Sequence, residues 1–107
     1  MTVEKTRQLN DKFRQTFNGG KVVFTRGVAD LPLNEQLAII GKVQNFNSFT
    51  KNNDPYGEHD FGAFDFGGTT YFWKIDYYDI DYHCLSQDPS DPTITNRVLT
   101  IMRADEY

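Results

Sequence analysis

The sequence predicts an α+β fold: an antiparallel sheet of about four strands with two helices packed on one face, in the order α-β-α-β-β-β. Three observations carry this. Two segments place apolar residues at helical spacing, a Gly-Gly pair divides two aromatic runs of alternating character, and a nearly continuous apolar run closes the chain. Helices segregated onto one side of such a sheet give a single shared core.

The first helix is predicted over Thr2 to Phe17. Leu9, Phe13 and Phe17 recur every fourth residue and so share a face. Thr2 can cap the start, and Asn18-Gly19-Gly20 offers a left-handed stop. Lys21 to Arg26 is short, β-branched and bounded by glycine, so a strand is predicted there. Pro32 suits the first turn of a second helix, predicted from Leu33 to Phe49 with Leu37, Ile39, Ile40, Val43 and Phe46 on its apolar side. Gly41 inside that helix points to close packing, because glycine otherwise costs about 1 kcal/mol relative to alanine.

Thr50 to Glu58 (TKNNDPYGE) has turn chemistry, with Asp before Pro and a Gly where positive φ is needed. A hairpin follows: His59 to Phe66 runs out, Gly67-Gly68 turns, and Thr69 to Tyr78 runs back. A two-residue turn sets Phe64 opposite Tyr71, Trp73 over Gly62, Ala63 opposite Phe72 and His59 opposite Asp76. Asp79 to Pro92 is irregular, with Pro89 and Pro92 excluding helix and central strand alike. The last strand spans Ile94 to Arg103, and its apolar run Val98 to Met102 predicts a position covered on both faces. Ala104 to Tyr107 reads as a loose tail.

The 107 residues amount to one ordinary domain, 1–107, long enough for a core without staples. Sixteen aromatics (nine Phe, six Tyr, one Trp) exclude a disordered chain. No run approaches the length of a membrane helix, the polar MTVEKTRQLN start has no signal core, and Cys84 is the single cysteine. A cytoplasmic location with no membrane role is expected.

Net charge is −4, but it is unevenly placed. Residues 1–51 carry eight Lys/Arg against four Asp/Glu, and residues 52–107 carry three against eleven. Direct nucleic-acid binding is disfavoured by this acidic balance. Nine carboxylates and one cation, Lys74, lie between Asp54 and Asp91. Within that stretch Asp76, Tyr78, Asp79, Asp81 and Tyr82 alternate charge with rings. This is a candidate surface for a protein partner with a basic face, since spaced carboxylates imitate phosphates and tyrosines anchor interfaces. The same pattern also describes a solvated acidic surface.

A second constellation, Asp54, Tyr56, Glu58, His59 and Asp60 with Asp76 across the hairpin, holds the raw material of acid–base catalysis, in which Asp76 would orient the His59 imidazole. Asn and Asp side chains that bond their own backbone explain much of the same string. His59, His83, Cys84, Asp79 and Asp81 lack the paired spacing of a metal site, so no metal or cofactor is expected. Cys84, neighbour to His83 on opposite faces of a strand, reads as a buried structural cysteine.

Four blocks carry a resemblance: Gly19 to Val28, Asn53 to Gly62 with its DPYGEHDFG string, Phe72 to Asp79 (FWKIDYYD), and Arg97 to Met102. From about Asn10 to Tyr107 the chain resembles a family of small bacterial proteins known only as a domain of unknown function. Members are similar in length and often sit on plasmids and other mobile elements. The resemblance implies a stand-alone bacterial protein, an accessory of mobile DNA, and carries over no catalytic residue. Three functions are open at this point: an acidic-surface inhibitor of a host nucleic-acid enzyme or defence complex, a small hydrolase centred on His59, and a structural or self-associating module with the aromatic sheet edge as its interface.

Overall fold

The computed structural model describes residues 2–107. Helix α1 (Val3–Thr16) leads into strand β1 (Lys21–Phe24), a one-turn helix α2 (Arg26–Ala29) and helix α3 (Leu33–Gln44). Strands β2 (Phe61–Phe66), β3 (Thr69–Tyr78) and β4 (Asn96–Arg103) follow, and a 3-10 turn (Ala104–Glu106) ends the chain. The sheet order is β1-β4-β3-β2. The α+β class, the four strands and the interior place of the last strand are as the sequence predicts. One ladder differs: β4 pairs antiparallel with β3 but parallel with β1. The parallel edge arises because α2, α3 and the hairpin all lie between β1 and β4, giving the chain room to cross over.

Hairpin register matches the prediction over Phe61–Phe66, with Phe64 opposite Tyr71, Gly62 opposite Trp73 and Ala63 opposite Phe72. Alternation along the strands then sorts the faces. Tyr71, Trp73 and Ile75 of β3 join Leu99 and Ile101 of β4 beneath the helices, where they meet Phe13, Val28, Ile39 and Val43 in one buried cluster. Trp73 is fully buried, and Phe46 and Phe49 meet it edge-on at centroid distances of 5.5 and 6.1 Å. Gly62 is the hole into which Trp73 fits: a Cβ there would lie 2.3 Å from the indole nitrogen and 2.8 Å from the Phe46 ring.

Several elements depart from expectation. α1 has the predicted cap, Thr2 accepting from the Lys5 N–H at 3.1 Å, but its left-handed C-terminal residue is Phe17 at φ 61°, not a glycine. Strand β1 stops at Phe24, because Thr25 and Arg26 turn into α2. α3 ends at Gln44, five residues short of the prediction. Phe46 and Phe49 keep the helical rhythm of apolar residues yet reach the core from an irregular segment. On α3 the buried face is Ile39 and Val43, while Leu37 is exposed. Gly41 packs against nothing, contrary to the close approach its presence suggested.

The tail is not loose. Glu106 accepts from Thr25 Oγ1 (2.7 Å), from the Gly27 N–H (2.8 Å) and from the Arg103 N–H (2.9 Å), pinning the C-terminus to the start of α2. Tyr107 packs on Phe61 and Phe72 on the sheet face away from the helices.

The two glycines make opposite predictions for chemical unfolding. Gly62→Ala forces Trp73 or the β2 backbone to move and should cost about 2–3 kcal/mol, the scale of core overpacking. Gly41→Ala meets open space on a helix and should stabilise by about 0.5–1 kcal/mol.

Candidate functional site

The Asn53–Asp60 segment folds on its own polar groups before it touches anything else. Asp54 N–H donates to Thr50 C=O at 2.8 Å, and Gly57, at φ 70°, donates back to Asp54 C=O at 3.2 Å. The Asp54 carboxylate is buried and accepts the His59 backbone N–H at 3.1 Å. His59 is left-handed at φ 55°, a conformation that costs a non-glycine residue about 1 kcal/mol or more.

That turn aims the imidazole at α1. Nδ1 lies 2.8 Å from Asp11 Oδ1, Nε2 lies 3.6 Å from Asp54 Oδ2, and one ring face stacks on Phe49 at a centroid distance of 3.7 Å and an interplanar angle of 4°. The predicted His59–Asp76 pair therefore does not form. β2 begins at Phe61, and Asp76 instead pairs with Lys74 at 2.8 Å on the far face of the sheet.

The remaining members of the predicted constellation disperse. Tyr56 is 78% exposed and stands apart. Glu58 accepts the Tyr77 hydroxyl at 2.7 Å. Asp60 is half-buried, and its carboxyl is held above its ordinary range by burial first and by the neighbouring Glu58 charge second. Its carbonyl accepts the Ile75 N–H, so its backbone extends the hairpin while its side chain is penalised.

Next to this lies a polar hub that sequence reasoning missed. Asn10, fully buried on α1, donates from its amide to Tyr77 Oη (2.7 Å) and to Glu58 C=O (3.0 Å), and accepts from Arg97 Nε (2.8 Å). Arg97 also donates to Pro89 C=O and lies over the Tyr77 ring. Burial, then the bond to Glu58, raises the Tyr77 phenol far above its usual value, and burial lowers the Arg97 guanidinium. Arg14, equally buried, donates to Asp11 Oδ1 at 3.0 Å and to Phe46 C=O at 3.2 Å, and stacks against Phe49 and Trp73.

Asn10, Asp11, Arg14, Phe49, Tyr77 and Arg97 were all outside the predicted site. A signal existed for some. Thr6, Asn10, Phe13 and Arg14 follow helical spacing on the buried face of α1, and Arg97 shares strand parity with Leu99 and Ile101. A polar residue in phase with a core face is inward-pointing by arithmetic.

Asp11, Arg14, Gln44, Asn45, Phe49 and His59 are among the residues lining an open cavity of about 500 Å³. Its walls offer amide, guanidinium and carboxylate groups and one imidazole. No serine, threonine or cysteine lines it among the described residues. Nor do three His, Cys, Asp or Glu side chains among them gather in a metal-holding arrangement.

The predicted acidic–aromatic stretch divides by role. Asp79 Oδ1 caps its own loop, accepting from the Asp81 and His83 N–H groups at 3.2 and 3.0 Å. Tyr78 and Tyr82 rings approach to 6.1 Å, and Lys21 Nζ sits 4.6 Å above Tyr82. Asp81 is exposed, and so is Cys84, which is therefore not a core cysteine. Ile80, Leu85 and Ile94 are exposed together around a depression of about 440 Å³ that also takes in Asp79 and Asp81.

Residues 24–106 match the family described as a protein of unknown function, DUF3768, and the chain belongs to that family. The match begins at Phe24, so Asn10, Asp11 and Arg14 lie outside the matched span. No curated protein and no solved structure matches the chain.

Asp60 gives a pH prediction. A carboxyl whose folded-state affinity for its proton is raised costs stability as pH climbs through its range. Asp60→Asn should therefore unfold at higher urea than the parent at neutral pH. The gain should vanish at about pH 3, where the unfolded chain's carboxyls also protonate.

Proposed function

We propose that this chain is a protein-binding module, and that its recognition surface is the acid-rimmed apolar depression formed by the Asp79–Ile94 segment. One observation carries the reading: Ile80, Leu85 and Ile94 stand exposed around a single concavity with the Asp79 and Asp81 carboxylates. Apolar anchors inside a charged rim are the anatomy of a protein interface. The part of these three aliphatics left in water forgoes burial at about 25 cal/mol per Å² of apolar surface. The rim calls for a partner with a basic surface. The nucleic-acid groove of a host enzyme or defence complex has that chemistry, and an inhibitor carried on mobile DNA would use it; the acidic balance of residues 52–107 supports this finer identification.

The hydrolase reading centred on His59 draws on the cavity of about 500 Å³ beside it. Against it, both ring nitrogens face carboxylates and one ring face is covered by Phe49. That arrangement makes the imidazole a strut between α1 and the Asp54 turn.

Cross-linking in the host, followed by affinity capture, tests the reading with the parent and two variants. Ile80→Ser/Leu85→Ser should retain the fold by circular dichroism and lose the cross-linked partner about tenfold or more. Asp81→Asn should keep the partner but lower its association rate at low salt. Undiminished capture by the aliphatic double variant would contradict the assignment.

A further inference from the structure

A buried cation without a counter-ion marks a second site. Arg97 is 3% exposed. Its hydrogen bonds run to Asn10 Oδ1 and Pro89 C=O, both neutral, and none of the ion pairs among the described residues includes it. The nearest link to a carboxylate is indirect, through Asn10 and the Tyr77 hydroxyl to Glu58. A guanidinium taken out of water is normally matched by a carboxylate or phosphate, because leaving the charge uncompensated costs several kcal/mol.

Arg97 lines a pocket of about 230 Å³ between the second half of α1 and the Pro92–Arg97 segment. Lys12 and Asn18 stand at its exposed side, and Leu9, Phe13 and Pro92 supply apolar wall. Nε and Nη2 of Arg97 are taken by Asn10 and Pro89, and the side chain reaches the pocket as one of its lining residues.

We propose that this pocket binds a small organic carboxylate, with its charged end on Arg97 and Lys12 and a short hydrocarbon stem against Leu9, Phe13 and Pro92. The volume suits about seven or eight non-hydrogen atoms at most, taking about 30 Å³ for each water-sized group. The permanent positive charge of a guanidinium favours a carboxylate over a neutral group. The three apolar side chains favour a ligand with a stem over a bare inorganic anion, which would desolvate them for no return.

Arginine side-chain N–H resonances read the site directly. Butyrate, butyramide and inorganic phosphate are titrated into the full chain at constant ionic strength. Butyrate should shift the Arg97 Nε–H signal saturably. Butyramide should bind about tenfold more weakly or not at all, since a charge-assisted bond is worth about 1.5–3 kcal/mol. Lys12→Met, a surface change that leaves the fold intact, should weaken butyrate about threefold to tenfold. Equal shifts with butyramide would overturn the ionic recognition. A response to phosphate alone would overturn the apolar stem. An unmoved Arg97 signal with all three probes would overturn the site.

Discussion

Asn10 has a place in this molecule that no apolar residue could take. Its amide uses two donors and an acceptor to hold the Glu58 carbonyl, the Tyr77 hydroxyl and the Arg97 guanidinium, and so ties α1 to the loop before β2, to β3 and to β4. Each of those partners is at least half-buried, and a buried polar group that loses its partner costs about 1–3 kcal/mol. The exposed Arg26–Asp30 pair, with side chains 90% and 69% exposed, contributes about 0–1 kcal/mol at most. By these magnitudes the buried hub on α1 outweighs an exposed ion pair of this kind. The His59 turn depends on that seating, because Asp11 is the next residue along the same helix.

The hairpin was legible for a simple reason. Its turn is two residues long, its strands alternate, and a slip by one would bury Asp65 and expose Trp73. Local rules failed where tertiary contact took over. Phe46 and Phe49 continue the apolar rhythm of α3, so periodicity extends the helix, but the chain leaves helical geometry to bring both rings to Trp73. The tail reads as free because its tertiary anchor is remote in sequence: besides the local Arg103 N–H, Glu106 bonds Thr25 and Gly27 about eighty positions away. The parallel β1–β4 ladder is hidden for the same reason, since edge order depends on the whole path of the chain.

The candidate sites divide likewise. That Asp54 and His59 share one turn could be read from the turn chemistry, but the side-chain partner of His59 could not. A strand-like His59 would have reached toward Asp76. Positive φ at that residue redirects it to Asp11, which lies forty-eight positions earlier on a helix. The acidic–aromatic stretch survives as an exposed feature through Asp81 and Tyr82, while Asp79 is spent on its own loop and Asp76 on Lys74. The apolar anchors Ile80, Leu85 and Ile94 came into view only when the loop brought them side by side. The family relation fixes the kinship of the chain from Phe24 onward without naming an activity, so the proposed recognition surface stands on this geometry.

A double-mutant cycle on Asn10→Ala and Tyr77→Phe tests most directly whether the hub organises the fold. Both changes remove hydrogen-bonding atoms without adding bulk, and urea unfolding reads each corner. If Asn10 and Tyr77 hold each other as described, the two losses should fall short of additivity by about 1–2 kcal/mol. Strict additivity, with neither single change costing more than about 0.5 kcal/mol, would mean that α1 is held by apolar packing alone and that the hub is incidental.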